Sequence, residues 1–350
     1  MTQQVKKHGA NSSAVQPNNW QAALPRPAYE GYARIDVSAV TSWYAVYRLF
    51  PDVFCLYEPG HFQEVISFLI VGQTYALLWD TGMGLAPIRP VVEALTDLPV
   101  VVINSHSHFD HVGGNWAFPF VLSWPGLGAA ARAAQGYSHA FLQPMLGPES
   151  FALPLPAGAN LDSFTIAPWQ ALPLHKDLPD ALPQPGGAAL SSPPYLVRVS
   201  PFANPPGEQQ FPPGLAALHT GLAFSLGGRR LDILLTPGHT DDSIMLLDWG
   251  RRLLFTGDTV YPAALYAHFD SREYGRSSLD IYANTMDILQ CLVPHLDALC
   301  CSHNIPVCPP ALLSRVAAGF AAIRQGGCGS KTDEDGLQRY DFDGFAIITK

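Results

Sequence analysis

Four residues able to bind a metal fall within six positions of this chain, His106, His108, Asp110 and His111, in the spacing His-x-His-x-Asp-His. Imidazole nitrogens suit a borderline-soft divalent cation, and a carboxylate beside a further imidazole can serve a second cation close by. The cluster directly follows the apolar run Val100-Val101-Val102-Ile103 and precedes Gly113-Gly114. The run predicts a buried strand, which puts the ligands on the loop leaving its end. Along a strand, neighbouring side chains would point to opposite faces, whereas a curled loop can aim all four inward. Any one of these histidines alone would read as part of a satisfied polar loop; four such residues at this spacing favour a metal centre.

The stretch resembles the signature of the metallo-β-lactamase superfamily, and the other motifs of that family have counterparts here in the expected order. A hairpin of 65–71 and 75–79 ends in Asp80-Thr81-Gly82, and Asp80 matches the family's aspartate that orients a ligand loop or imidazole. Thr236-Pro237-Gly238-His239-Thr240 supplies a histidine after an apolar run, Phe255-Thr256-Gly257-Asp258-Thr259 supplies a bridging aspartate, and Ser302-His303-Asn304 supplies a last histidine in the least distinctive context. The resemblance spans roughly 53–348. It implies an α/β fold, the four-layer αβ/βα sandwich, carrying here a Pro-rich insertion.

By the same resemblance, His106, His108 and His239 hold one metal, Asp110, His111 and His303 hold a second, and Asp258 bridges. Two divalent cations about 3.5–4 Å apart share a water and lower its pKa towards neutrality, giving a hydroxide that attacks a carbonyl carbon. Asp110 also receives or relays a proton. Zinc suits the histidine-rich set best, with iron, manganese and cobalt compatible. Asp258 narrows the branch, because true β-lactamases lack this aspartate while thioesterases of the glyoxalase II type, acyl-homoserine lactonases and phosphodiesterases have it. Tyr261 matches the place where lactonase-like members carry a tyrosine donating to substrate, and a packing tyrosine is the alternative.

The expected activity is therefore hydrolysis of a carboxylic ester, lactone or thioester, with a small hydrophobic acyl or lactone substrate. One alternative is a mononuclear iron enzyme like the persulfide dioxygenases of the superfamily, which use two histidines and an aspartate; β-lactam hydrolysis as a side activity is another. A non-catalytic binding protein on the same scaffold predicts lost ligands, and all seven are present.

The chain is globular by composition. The 350 residues are 48% hydrophobic, ample for a large core, and carry a net charge of −9 with a pI near 5.7. No run of Lys or Arg exceeds two, which argues against a polyanionic substrate such as nucleic acid and disfavours the nuclease branch. Six cysteines contain no Cys-x-x-Cys pair, so they read as buried small hydrophobes in a reducing compartment; Cys300 and Cys301, near His303, point to opposite faces if they lie on a strand. No stretch reads as a secretory leader or a membrane span, and a cytoplasmic location is the expectation.

The elements that must position the ligands follow from periodicity. Residues 1–27 read as a flexible arm and 28–350 as the hydrolase domain. Apolar residues at helical spacing over 88–95 predict a crossover helix, making a β–α–β path that delivers the ligand loop to the edge of the sheet. The loop 60–64 leads into the hairpin, and His61 reads as a solvated residue or a substrate contact. His111 and His239 lie 128 positions apart, and 18 of the chain's 32 prolines fall within 119–215. That density precludes mostly regular structure, while Phe151, Phe164, Trp169, Tyr195, Phe202 and Phe211 are too apolar for a solvated linker. The interval reads as an insertion over the core, starting a short helix at 129–134 and serving as substrate lid, homodimer interface or both. Beyond it come a hairpin turning at Gly227-Gly228, strands at 243–247 and 252–255, helices at 279–292 and 311–325, and a closing strand pair over 340–348.

Overall fold

Most strands of this protein are buried on both faces, and alternation sends successive side chains into different cores. In Ile66–Val71, Phe68 and Ile70 enter one apolar cluster and Leu69 another; in Val100–Ile103, Val101 and Ile103 part from Val102 in the same way. The computed structural model describes residues 24, 26–156, 158–174, 183–185, 194–200, 212–333 and 335–350. Phe202 and Phe211 of the insertion lie outside them.

Among the described residues, an eight-stranded sheet runs from Ala33–Ile35 through Ala45–Phe50, Val53–Tyr57, Ile66–Val71, Ala76–Trp79 and Val100–Ile103 to Val121–Ser123 and Ala171–Pro173. A seven-stranded sheet runs from Val307–Cys308 through Ala298–Cys301, Leu253–Gly257, Ile244–Asp248, Arg230–Leu235 and His219–Ser225 to Leu196–Arg198. Their inner faces share one core, in which Phe68 and Phe255 meet edge to face with ring centroids 5.4 Å apart. Helices Leu279–Leu289 and Ala311–Arg324 bring Tyr282, Met286 and Phe320 into the outer core of the second sheet. Helices Arg89–Glu93 and Ala129–Gln135 bring Val91, Val92 and Ala133 into that of the first. Helix, sheet, sheet and helix stack as the four-layer αβ/βα sandwich.

Several elements differ in extent from their sequence expectation. The crossover helix is one turn shorter than 88–95, and the helix expected over 279–292 tightens after Leu289 into a 3₁₀ segment, Gln290–His295. Pro294 explains the second change, because it has no N–H and its ring crowds the carbonyl one turn back. Gly227 and Gly228 have φ of 77° and 66°, the left-handed pair that a tight two-residue hairpin turn requires. Val100–Ile103 is an interior strand rather than an edge, because Val121–Ser123 and Ala171–Pro173 continue the sheet beyond it in parallel. Those two strands and Leu196–Arg198, which lengthens the second sheet, all come from the interval 119–215.

Of the arm expected over 1–27, residues 1–23 and 25 lie outside the described residues, while the segment from Arg26 is packed. The 3₁₀ turn Pro27–Tyr29 stacks Tyr29 on Tyr57 at a centroid distance of 4.4 Å. At the other end, Gln338–Phe342 and Phe345–Thr349 form the closing hairpin, and Phe345–Thr349 pairs in parallel with Ala264–Tyr266. No helix among the described residues is long and apolar enough to cross a membrane.

Candidate metal centre

Each chemistry-bearing residue sits just past the C-terminal end of a strand. Asp80 follows Ala76–Trp79, His106 and His108 follow Val100–Ile103, and Asp110 and His111 ride the single turn Phe109–Val112. From the other sheet, His239 follows Arg230–Leu235, Asp258 follows Leu253–Gly257 and His303 follows Ala298–Cys301. The two sheets therefore present their strand ends to one rim. Gly113 lets the ligand loop close on the Asp80 loop, since a Cβ there would lie 2.2 Å from the backbone of Met83.

All seven residues named from the sequence converge. Their donor atoms form three overlapping groups, each able to hold a metal ion: His106, His108 and His239; His106, His111 and Asp258; and Asp110, His111 and His303, with atoms within 4.8 Å of one another in each. Asp258 stands between the others. Its Oδ1 lies 3.0 Å from His303 Nε2 and 3.2 Å from His111 Nε2, and its Oδ2 lies 3.6 Å from His239 Nε2 and 3.9 Å from His106 Nε2.

The outward nitrogen of every histidine is engaged, and that fixes which nitrogen faces in. His108 Nε2 donates to the Tyr274 carbonyl at 2.7 Å, His239 Nδ1 to Tyr266 at 3.1 Å and His303 Nδ1 to Gln63 at 2.6 Å. His111 Nδ1 donates to Asp80 Oδ2 at 2.9 Å. Ser105 Oγ gives its proton to Asp80 and so accepts from His106 Nδ1 at 3.0 Å. Five imidazoles thus turn their second nitrogen inward, and that nitrogen binds a cation when it carries no proton. His106 Nε2 is buried and finds no hydrogen-bond partner among the described residues. A buried acceptor left bare in this way fits a cation better than an apolar filling.

Electrostatics divide the site. Burial pulls His239 down to about 4 against the opposing field of Asp258, and it holds His106 and His108 well below the ordinary imidazole value. Burial acts on His111 too, but Asp258, Asp110 and Asp80 outweigh it and hold that imidazole well above its ordinary value; Asp258 and Asp110 likewise raise His303. Burial pushes Asp258 up, yet His303 and His111 overcome it and leave its carboxyl well below the usual range, while in Asp110 burial prevails and raises it.

Asp80 adopts φ 64°, a left-handed conformation unusual for a residue with a side chain, and this aims both carboxylate oxygens at Ser105 and His111. Tyr261 packs its ring 5.0 Å from that of His303, and its hydroxyl donates to the carbonyl of Ala264. His61 is neither solvated nor free to meet a substrate. It is fully buried, bonds the Met145 carbonyl at 2.9 Å through Nε2 and packs on Phe151, so burial lowers it to about 4. Cys300 faces the inner core and Cys301 the outer one, as strand alternation requires, and both are free thiols.

Sequence reasoning missed the supports. Arg132, from the insertion, is buried and donates to Ser107 Oγ between the two ligand histidines, while Ser107 in turn donates to Asp242 beside the His239 loop. Glu58 is buried and accepts from Trp43 Nε1 at 2.6 Å and Met83 N at 2.8 Å, which pins the Asp80 loop; burial raises it to about 7. The carbonyls of Gln63, Tyr266 and Tyr274 carry no signal in a sequence, because every residue has one.

The sequence profile of the metallo-β-lactamase superfamily matches residues 64–294. The chain belongs to the metallo-β-lactamase superfamily. Among its curated relatives are acyl-coenzyme A thioesterases MBLAC2: the human protein is 28% identical over 239 residues, 64% of this chain and 68% of its own, and the chicken protein is 27% identical over 236 residues, with the same coverage. Similar solved structures include the inverting sec-alkylsulfatase Pisa1 from Pseudomonas sp., at TM-score 0.48 and 15% identity over 80% of this chain. This chain spans 42% of that enzyme's length. The metallo-β-lactamase MIM-2 aligns at TM-score 0.43 and 18% identity, covering 81% of this chain and 89% of its own.

Proposed function

We propose that this superfamily member is a dinuclear metal-dependent hydrolase that cleaves the carbonyl–sulfur bond of acyl thioesters, with carboxylic esters and lactones as neighbouring chemistry. The observation that carries the reading is the single carboxylate of Asp258, facing His239 and His106 on one side and His303 and His111 on the other. The thioesterase relatives favour a thioester among the three carbonyl substrates.

In this reading His106, His108 and His239 hold one cation, Asp110, His111 and His303 hold the other, and Asp258 serves both. Zinc fits the donors best, and iron, manganese or cobalt are compatible. A cation pair of this kind supplies Lewis acidity and acidifies a shared water enough to act as nucleophile near neutral pH. The chain's residues do the rest. Asp110, whose Oδ2 lies 3.7 Å from His303 Nε2 and 3.8 Å from His111 Nε2, takes up and returns the proton that the reaction moves. Asp80 fixes the tautomer of His111 and, through Ser105, that of His106. Phe269 stands edge-on to His108 and His239 at 5.0 and 5.4 Å and stacks on Tyr274 at 4.7 Å, an apolar flank suited to an acyl group.

The test is metal content by elemental mass spectrometry on protein purified without chelator, with thioester, ester, lactone and β-lactam hydrolysis on the same sample. Two cations and chelator-sensitive thioester cleavage are expected. One iron per chain with oxygen consumption and no hydrolysis would replace this reading by the mononuclear oxygenase one.

A further inference from the structure

We infer that Arg26 is a positioning residue for His303, acting through the backbone of the loop opposite. The inference rests on the two-cation reading above and concerns the second cation alone.

The guanidinium Nε of Arg26 donates to Glu64 at 2.8 and 3.0 Å, and its Nη2 makes a closer contact with the same carboxylate. Glu64 is wholly buried, and its other side-chain partner is the Tyr57 hydroxyl. Its backbone stands at φ 45°, in the left-handed region that residues with side chains rarely adopt. The residues on either side of this turn hold His303. The Gln63 carbonyl accepts from His303 Nδ1 at 2.6 Å, and Val65 forms an antiparallel bridge with His303. The Glu64 carbonyl itself accepts from Asn304 N at 3.1 Å, and Ile66 N donates to Ser302 at 2.8 Å. A sharp turn at Glu64 is thus what brings 63 and 65 to the ligand together, and the buried carboxylate under that turn depends on Arg26 for its countercharge. A carboxylate buried without that charge is strongly disfavoured, so loss of Arg26 drives the turn to relax and moves the Gln63 carbonyl off the imidazole. Arg26 and His303 both lie outside the stretch matched by the superfamily profile.

The experiment compares the full-length wild type with Arg26→Ala and Arg26→Lys by zinc titration against a chromophoric chelator, with elemental analysis after dialysis. Two zinc ions are expected in the wild type. In Arg26→Ala the first should bind as before, reporting an intact fold, while the second weakens by about 10- to 100-fold, the usual effect of losing a ligand's supporting contact. Arg26→Lys should recover part of that loss. Two ions bound with unchanged affinity in Arg26→Ala would overturn the inference, as would equal weakening of both, which would make Arg26 a general support of the fold. If Arg26→Ala does not fold, Arg26→Ala with Glu64→Gln removes the buried charge together with its partner: a second ion bound with near wild-type affinity supports the inference, and a second ion still weakened by about 10- to 100-fold would overturn it. A wild type that binds one ion overturns the two-cation reading itself, an outcome separate from any effect of the variants.

Discussion

The two halves of the candidate centre both present imidazoles but hold them by different means: three histidines in one, two histidines with Asp110 in the other. Around His106, His108 and His239, burial dominates and keeps the imidazoles neutral with no cation required. Around His111 and His303, the carboxylates of Asp258 and Asp110 outweigh burial and raise both imidazoles above their ordinary value. A cation entering the second half would therefore compete with protons up to a higher pH than one entering the first. The difference teaches that equally buried imidazoles shift in opposite directions according to the carboxylates around them.

The largest effect should come from the residue shared by both halves. Asp258→Asn should lower zinc content at both positions and abolish thioester hydrolysis; a variant that keeps two ions and wild-type turnover would remove Asp258 from the centre. His239→Ala should break the first half alone, with loss of about one ion and of turnover, read by elemental analysis and steady-state kinetics. Asp80→Ala touches no cation directly, and a fall of about 10- to 100-fold in metal affinity or activity is expected from the loss of its hold on His111 and Ser105. Acidification should then separate the halves. Histidines with raised pKa bind protons first as pH falls, so the second ion's affinity should begin to drop at a higher pH than the first's. Simultaneous release of both would show that the halves titrate as one unit. The smallest effect is expected at Tyr261, whose hydroxyl meets a backbone carbonyl. Tyr261→Phe should leave kcat unchanged and lower stability by about 1 kcal/mol. A kcat lower by about ten- to a hundredfold would instead put that hydroxyl on the substrate.

The central strands and the convergence of the seven candidate ligands were legible because their signals are local. Val100–Ile103 is a continuous apolar run, His106 to His111 a dense ligand cluster, and Gly238-His239 and Gly257-Asp258 short motifs following strands. What escaped was carried by pairs far apart in the chain. Arg132 meets Ser107 across 25 positions, His303 meets Gln63 across 240, and His108 meets Tyr274 across 166. His61 was misread for the same reason: a histidine beside Gly60 looks solvated until Met145 and Phe151 close over it. The insertion was read as a cover because its prolines forbid long elements, yet three-residue strands are short enough to fit between them, and Pro173 ends one at a sheet edge where no N–H is needed.

Phe345–Thr349 pairs with Ala264–Tyr266, and the Tyr266 carbonyl at the end of that strand holds His239. Seen in time rather than space, this pairing makes the centre a late product of synthesis. A ribosome releases His106 to His111 some 345 − 111 = 234 positions before the strand that pairs with Ala264–Tyr266, at elongation rates of roughly 5–20 residues per second. For that interval of tens of seconds the ligand loop exists without the strand that pairs beside the Tyr266 support of His239.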